Sequence, residues 1–306
     1  MMTAPAVLDT LREAAPAALD SAALGAHGHP EAFEFGHLFD HIKDSNELEI
    51  PFGKIELPHL PTIHVAGVDF DLSITKHVIF VLLSAVVVAA LALSSARAYR
   101  RSLVPKGFAN AVEVIVVFVR DEIVLPNMGP GGLRYLPYLL TVFFFVLVMN
   151  LMGLIPFGSS ATGNIAVTGG MAIISFIMIQ VAAIRSMGLA HYLAELTGGV
   201  PWFLWPIMVP VEILSLFTKP FALCIRLFAN MTGGHLVILS LIGMIFLFGS
   251  YLVPPLTLAF VLGINLLEIF VAFLQAYIFT ILTALFMGLG ILAGGEAKEH
   301  AHTSGD

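Results

Sequence analysis

Charge is scarce in this chain: 11% of its residues are Asp, Glu, Lys or Arg, 58% are hydrophobic, and the mean hydropathy is +0.94. A water-soluble domain carries about 25% charged residues, so a bilayer, not water, must solvate most of this polypeptide. Basic clusters away from the membrane flanks are also missing and the net charge is −7, which excludes a nucleic-acid partner because phosphate binding needs grouped Lys and Arg on an accessible face. Cysteine is nearly absent: Cys224 alone cannot close an internal disulfide, lacks metal-site spacing, and reads as a packing residue. The first thirty residues lack the basic start and unbroken apolar run of a secretion signal and carry Asp9, Glu13 and Asp20, so they are expected to stay in the mature chain.

What is present is a polar arm followed by apolar runs. Residues 1–76 hold twelve Asp or Glu against four Lys or Arg, with Pro and Gly scattered among them, and are expected to be partly disordered or only locally helical. About twenty apolar residues cross a hydrocarbon core of about 30 Å. The membrane domain, 77–295, supplies five such runs, at 77–96, 135–157, 164–184, 200–249 and 255–293. Arg97, Arg100, Arg101 and Lys106 follow the first run, so the positive-inside rule places that end in the cytoplasm and the arm outside. Arg134 and Arg185 fall at ends on the same side, segments 156–163 and 249–255 carry no charge, and the tail 296–306 is cytoplasmic. Residues 107–125 set Asn110, Glu113, Arg120 and Asp121 on one helical face and Val, Ile and Phe on the other, which predicts an amphipathic helix along the cytoplasmic surface. Trp202 and Trp205 suit an interfacial belt. The fold class is therefore all-α: a polytopic integral membrane protein of about five crossings, ending in a long antiparallel helix pair.

Residues 200–295 contain four charged side chains, Glu212, Lys219, Arg226 and Glu268, and one histidine, His235. A charge near mid-membrane costs on the order of 3 kcal/mol, which points to an ion path, with helix-holding ion pairs as the competing reading. At 100° per residue Glu212, Lys219, Arg226 and Asn230 fall within about 40° of one another, and Asn265, Glu268 and Gln275 share a stripe on the last helix. Counted from the turn, His235 and Glu268 are each about 20 Å deep, where an imidazole and a carboxylate can exchange a proton. Arg226 and Gln275 are matched further in. Arginine keeps its proton at any relevant pH, so Arg226 is a fixed cation and not a relay member. Lys219, beside Pro220, is placed to reach toward headgroups.

Other features carry less. His37 and His41 are four apart, but with no third and fourth ligand beside them, or beside His27, His29, His300 and His302, no metal or cofactor is expected. Gly169, Gly170, Gly233 and Gly234 suit close helix approach, and the last two equally suit space for water beside His235. A secondary transporter would show an internal repeat and matched broken helices, and a membrane hydrolase a His-Glu-x-x-His or paired Asp set; neither is found. A purely structural anchor has no use for Arg226 or Glu268 in a span.

The stretch KPFALCIRLFANMTGGH, Lys219 to His235, resembles the signature of subunit a of F-type ATP synthases, and NLLEIFVAFLQAYIF, Asn265 to Phe279, is similar to that family's last helix. The resemblance runs from about residue 77 to the C-terminus. It implies a stator whose long, tilted helix pair faces a ring of c subunits, each with a mid-membrane carboxylate. Peripheral-stalk b subunits would be further partners, with the complex in a bacterial inner membrane. By position it implies Arg226 as the gate, Asn230, His235, Glu268 and Gln275 in an outer half-channel, Glu212 in the cytoplasmic one, and Lys219 and Asn265 in support. One departure is informative: a well-known bacterial pattern has Glu at the position of His235 and His at that of Glu268. The exchange keeps one imidazole and one carboxylate, which supports their proximity and favours protons, while a sodium-coupled version of the same stator stays open.

Overall fold

The computed structural model describes residues 47–50, 53–56, 63–65, 68–70, 75–101, 107–155, 161–195, 201–248 and 253–303. Most of the arm, with His27, His29, His37 and His41, lies outside the described residues, as do Lys106 and loops 156–160 and 249–252. The described part of the arm differs from the local helix expected there. Strands β1 (Glu47–Ile50) and β2 (Gly53–Glu56) form one antiparallel hairpin, with Leu48 opposite Ile55, and β3 (Ile63–Val65) and β4 (Val68–Phe70) form another. The reason is local: Leu48 and Ile50, then Ile63 and Val65, alternate with polar residues at the strand period of two.

Helix α1 (Lys76–Arg101) touches the rest of the protein along a narrow line, where Ser84 Oγ lies 2.7 Å from Phe80 O and 3.3 Å from Met152 Sδ. Leu82, Val86 and Leu93 are exposed around it, as lipid-facing side chains are. Helix α2 (Phe108–Phe118) runs through a π-helical turn at Val119–Val124 into α3 (Leu125–Met128). Its polar side is at the surface, where Arg120 Nε donates to Asp121 Oδ1 at 2.7 Å. Its apolar side, including Val119, Ile123, Val124 and Met128, is buried in the protein core rather than spread on lipid alone.

A 3-10 turn at Pro130–Tyr135 leads into α4 (Leu136–Gly153). Asn164 starts α5 (Ile165–Met187) by accepting a hydrogen bond from Ala166 N at 2.9 Å, which satisfies one of the free amides of the first turn. Gly188, at φ 82°, ends it in a conformation that favours glycine and turns the chain into the short α6 (Leu189–Glu195). The last two helices are α7 (Trp205–Phe248) and α8 (Val253–Thr303), the latter continuing past residue 293, where the sequence placed the end of the span.

Among the described residues, five helices are long and apolar enough to cross a membrane: Lys76–Arg100, Pro130–Gly153, Ile165–Met187, Trp205–Ile245 and Val253–Gly294. The membrane domain is thus all-α and polytopic. At 1.5 Å per residue, the 44 residues of α7 and 51 of α8 measure about 66 and about 77 Å. Both exceed twice the hydrocarbon thickness of about 30 Å. Neither can stand along the membrane normal, so the pair tilts steeply or runs partly in the interface. Pro210 and Pro220 lie inside α7, tolerated because neighbouring helices share the task of satisfying freed backbone groups.

The core gathers Val119 and Ile123 of the π-helical turn, Leu139, Phe143 and Val146 of α4, Leu223 and Leu227 of α7, and Phe279 and Met287 of α8. α5 crosses α8 closely: a Cβ on Gly290 would lie 2.6 Å from Ala183 Cβ, and Ser186 Oγ donates to Ile291 O at 3.0 Å. Glycine, alanine and serine let backbones approach where lipid provides no hydrophobic drive between helices. Cys224 is buried, with Sγ 3.4 Å from Thr168 Oγ1, which fits its reading as a packing residue.

Candidate functional site

Three contacts set the antiparallel register of α7 against α8. Near the middle, Asn230 Nδ2 donates to Gln275 Oε1 at 2.8 Å, and Gln275 is 3% exposed. Leaving the buried Gln275 amide without this bond would cost about 1–3 kcal/mol, so the pair locks the register. To one side, Lys219 Nζ lies 5.1 Å from the Phe286 ring centroid, a cation–π contact that draws the ammonium onto α8. To the other side, the Glu268 carboxylate rests against the Gly234 backbone: a Cβ there would overlap Glu268 Oε1 and lie 2.8 Å from its carboxyl carbon. Gly234 therefore makes room for the carboxylate itself. Gly233, beside it, has nothing within 4 Å of its Cβ direction.

Glu268 consequently lies at the level of Gly234 and His235, and Gln275 at that of Asn230. Arg226 and Gln275, matched by counting from the turn, are in fact offset: Arg226 is one helical turn, about 6 Å, beyond Asn230. Both Glu268 oxygens are buried without a hydrogen-bond partner among the described residues. His235 is half-buried at this level and does not donate to them. Asn265 stays within its own helix, its Nδ2 donating to Val261 O at 3.1 Å.

Arg226 is exposed, between the buried Leu223 and Leu227, and has no ion-pair partner among the described residues. It lines an open groove of about 540 Å³ with Ser215, Thr218 and Lys219 of α7 and Leu282 and Phe286 of α8. Glu212, further toward the start of α7, is half-buried. Near it is a pair that sequence reasoning missed: the Tyr192 hydroxyl of α6 donates to Gln180 Oε1 of α5 at 2.6 Å. Burial, and then the negative charge of Glu212, push the Tyr192 hydroxyl above its ordinary pKa. The available signal was Gln180, an amide standing alone in the interior of its span.

These features define a polytopic all-α membrane protein with ionisable groups set along the seam and outer face of its two longest helices. The family model of the ATP synthase A chain matches residues 78–288. ATP synthase subunit a of Chloroherpeton thalassium is 48% identical over 279 residues, covering 89% of this chain and 81% of the relative. The subunit a of Chlorobium phaeobacteroides strain BS1 is 50% identical over 280 residues, 90% of this chain and 81% of the relative. That of Myxococcus xanthus is 51% identical over 234 residues, 76% and 77% of the two chains. The chain belongs to the ATP synthase subunit a family, and so to the membrane sector of that complex, where it serves ion transport and ATP synthesis.

Proposed function

We propose that this chain provides two proton half-channels and the gate arginine that couple transmembrane proton flow to rotation of a c-subunit ring, and so to ATP synthesis. The observation that carries the reading is Arg226: a permanent cation on a membrane-spanning helix, exposed and without an ion-pair partner among the described residues. Such a charge costs on the order of 3 kcal/mol in the membrane. A carboxylate presented at the same depth by a second protein removes that cost, and a rotating ring presents carboxylates in turn. The guanidinium attracts each ionised carboxylate and cannot pass a proton onward.

Each remaining residue then has a separate task. On the outer side a proton passes His235 and Glu268, whose carboxylate is buried beside Gly234 without a hydrogen-bond partner among the described residues. Asn230 and Gln275, bonded to each other, line the same half-channel between that level and Arg226. The neutralised ring site enters lipid. A site arriving from the opposite direction releases its proton toward Glu212, held ionised by Arg226. Direction follows from the membrane potential, worth about 2.3 kcal/mol per charge per 100 mV.

The basic residues at the end of α1, the start of α4 and the end of α5 support a cytoplasmic location for those ends, an outer N-terminus and a cytoplasmic C-terminus. In this reading the chain is no enzyme alone; it works with the c ring and peripheral-stalk b subunits in a bacterial inner membrane. ATP-driven proton pumping in vesicles holding the whole complex tests it. Arg226→Ala is expected to abolish pumping while the complex still assembles, and normal pumping by this variant would sink the gate assignment.

A further inference from the structure

The register of α5 against α7 brings a second amide to the level of Glu212. Thr168 Oγ1 lies 3.4 Å from Cys224 Sγ, and about two turns further along α5 and back along α7 Phe176 stacks on Phe217 with ring centroids 5.7 Å apart. One further turn along α5 from Phe176 is Gln180, and one turn back along α7 from Phe217 is Ile213, the neighbour of Glu212. Helix α6 folds back over this end after Gly188 and delivers Tyr192, whose hydroxyl donates to Gln180 Oε1 at 2.6 Å.

That bond fixes which way the amide points. With Oε1 occupied, Nε2 and its two N–H donors are turned the other way, and Nε2 is buried with no hydrogen-bond partner among the described residues. A buried donor of this kind takes a water in a membrane protein whose polar groups have no bulk solvent nearby. Glu212, half-buried beside Ile213 on this register, is a carboxylate able to receive that water.

We propose that Tyr192 and Gln180 are positioning residues of the half-channel that contains Glu212: the tyrosine orients the amide, and the amide holds a water against the Glu212 carboxylate. The inference rests on Glu212 taking part in proton release. Neither Tyr192 nor Gln180 gains or loses a proton in the cycle. Their effect is on the hydrogen-bonded chain by which Glu212 exchanges protons with the aqueous side.

A double-mutant cycle in vesicles holding the whole complex, with assembled complex measured in parallel, tests it. Glu212→Gln is expected to slow ATP-driven pumping at least severalfold. Tyr192→Phe, which removes one neutral hydrogen bond, is expected to slow it about two- to tenfold. The combined variant should be no slower than Glu212→Gln alone, because a water held for a carboxylate has no use once the carboxylate is gone. A purely structural tyrosine would instead slow the Glu212→Gln background by the same factor as the wild type, and that result, or normal pumping by Tyr192→Phe, overturns the proposal. Normal pumping by Glu212→Gln would remove the role of Glu212 itself and this proposal with it. Should Tyr192→Phe reduce assembly, Gln180→Leu carries the same expectations through the same cycle.

Discussion

Helix α8 meets α5 and α7 in opposite ways. Against α5 it is closed: Gly290 abuts Ala183, Gly294 abuts Ser186, and the Ser186 hydroxyl is bonded to Ile291 O. The buried hydroxyls nearby are also satisfied, Thr280 by Ala276 O and Thr283 by Phe279 O, each at 2.8 Å. Against α7 it is open to chemistry: an amide pair, a carboxylate with no partner among the described residues, and a glycine with nothing within 4 Å. Helices in lipid associate through close packing and satisfied hydrogen bonds, since lipid tails are as apolar as the helix surface. The closed seam supplies that adhesion. The α7 seam is thereby free to hold polar groups whose desolvation works against association.

Substitutions separate the two seams. The largest effect on the folded protein is expected from Gly290→Val, which drives a branched side chain into the α5 backbone and costs about 3 kcal/mol. A lower amount of chain in the membrane and a lower denaturation midpoint of the purified complex would report it; an unchanged midpoint would mean that this crossing does not hold the fold. Gly234→Val should do the reverse, leaving the amount of complex near normal while displacing the Glu268 carboxylate and reducing ATP-driven pumping more than about tenfold. Its neighbour is the control: Gly233→Ala points into open space and should leave pumping within about twofold. Equal effects at the two glycines would remove the steric argument for Gly234.

Smaller changes refine the comparison. Asn230→Leu leaves the buried Gln275 amide unpaired and should destabilise by about 1–3 kcal/mol, with slower pumping as the seam loses its register. Ser186→Ala removes one hydrogen bond in the closed seam and should cost about 1 kcal/mol with pumping per complex unchanged. A pumping defect in Ser186→Ala without loss of stability would erase the division of labour between the seams.

The crossing helices were legible because each is a long run of apolar residues with charge at its ends, a signal that needs no knowledge of neighbours. Their boundaries differ from the sequence reading by only a few residues at α4, α5 and the start of α7, and most at α8, whose helix runs on through Gly294 and Gly295 to Thr303. The hairpins of the arm were missed because four-residue alternations are short and were set against an acidic, Pro-containing background. For the polar residues, helical period alone placed Glu212, Lys219, Arg226 and Asn230 on one stripe of α7, and Glu268 and Gln275 on one stripe of α8. Period does not say what a stripe faces. Asn230 turns to Gln275, Lys219 to Phe286, and Arg226 to neither.

By itself, then, the sequence determined the solvent, the number of crossings and the residues that carry charge into the membrane, since composition and periodicity are local properties. Tertiary structure decided which faces meet: Gly290 against Ala183, Gly234 under Glu268, and Tyr192 on Gln180 across a glycine turn. The physical reason is that hydropathy is nearly uniform around these helices, so lipid-facing and protein-facing sides look alike until shape complementarity and hydrogen bonding choose between them.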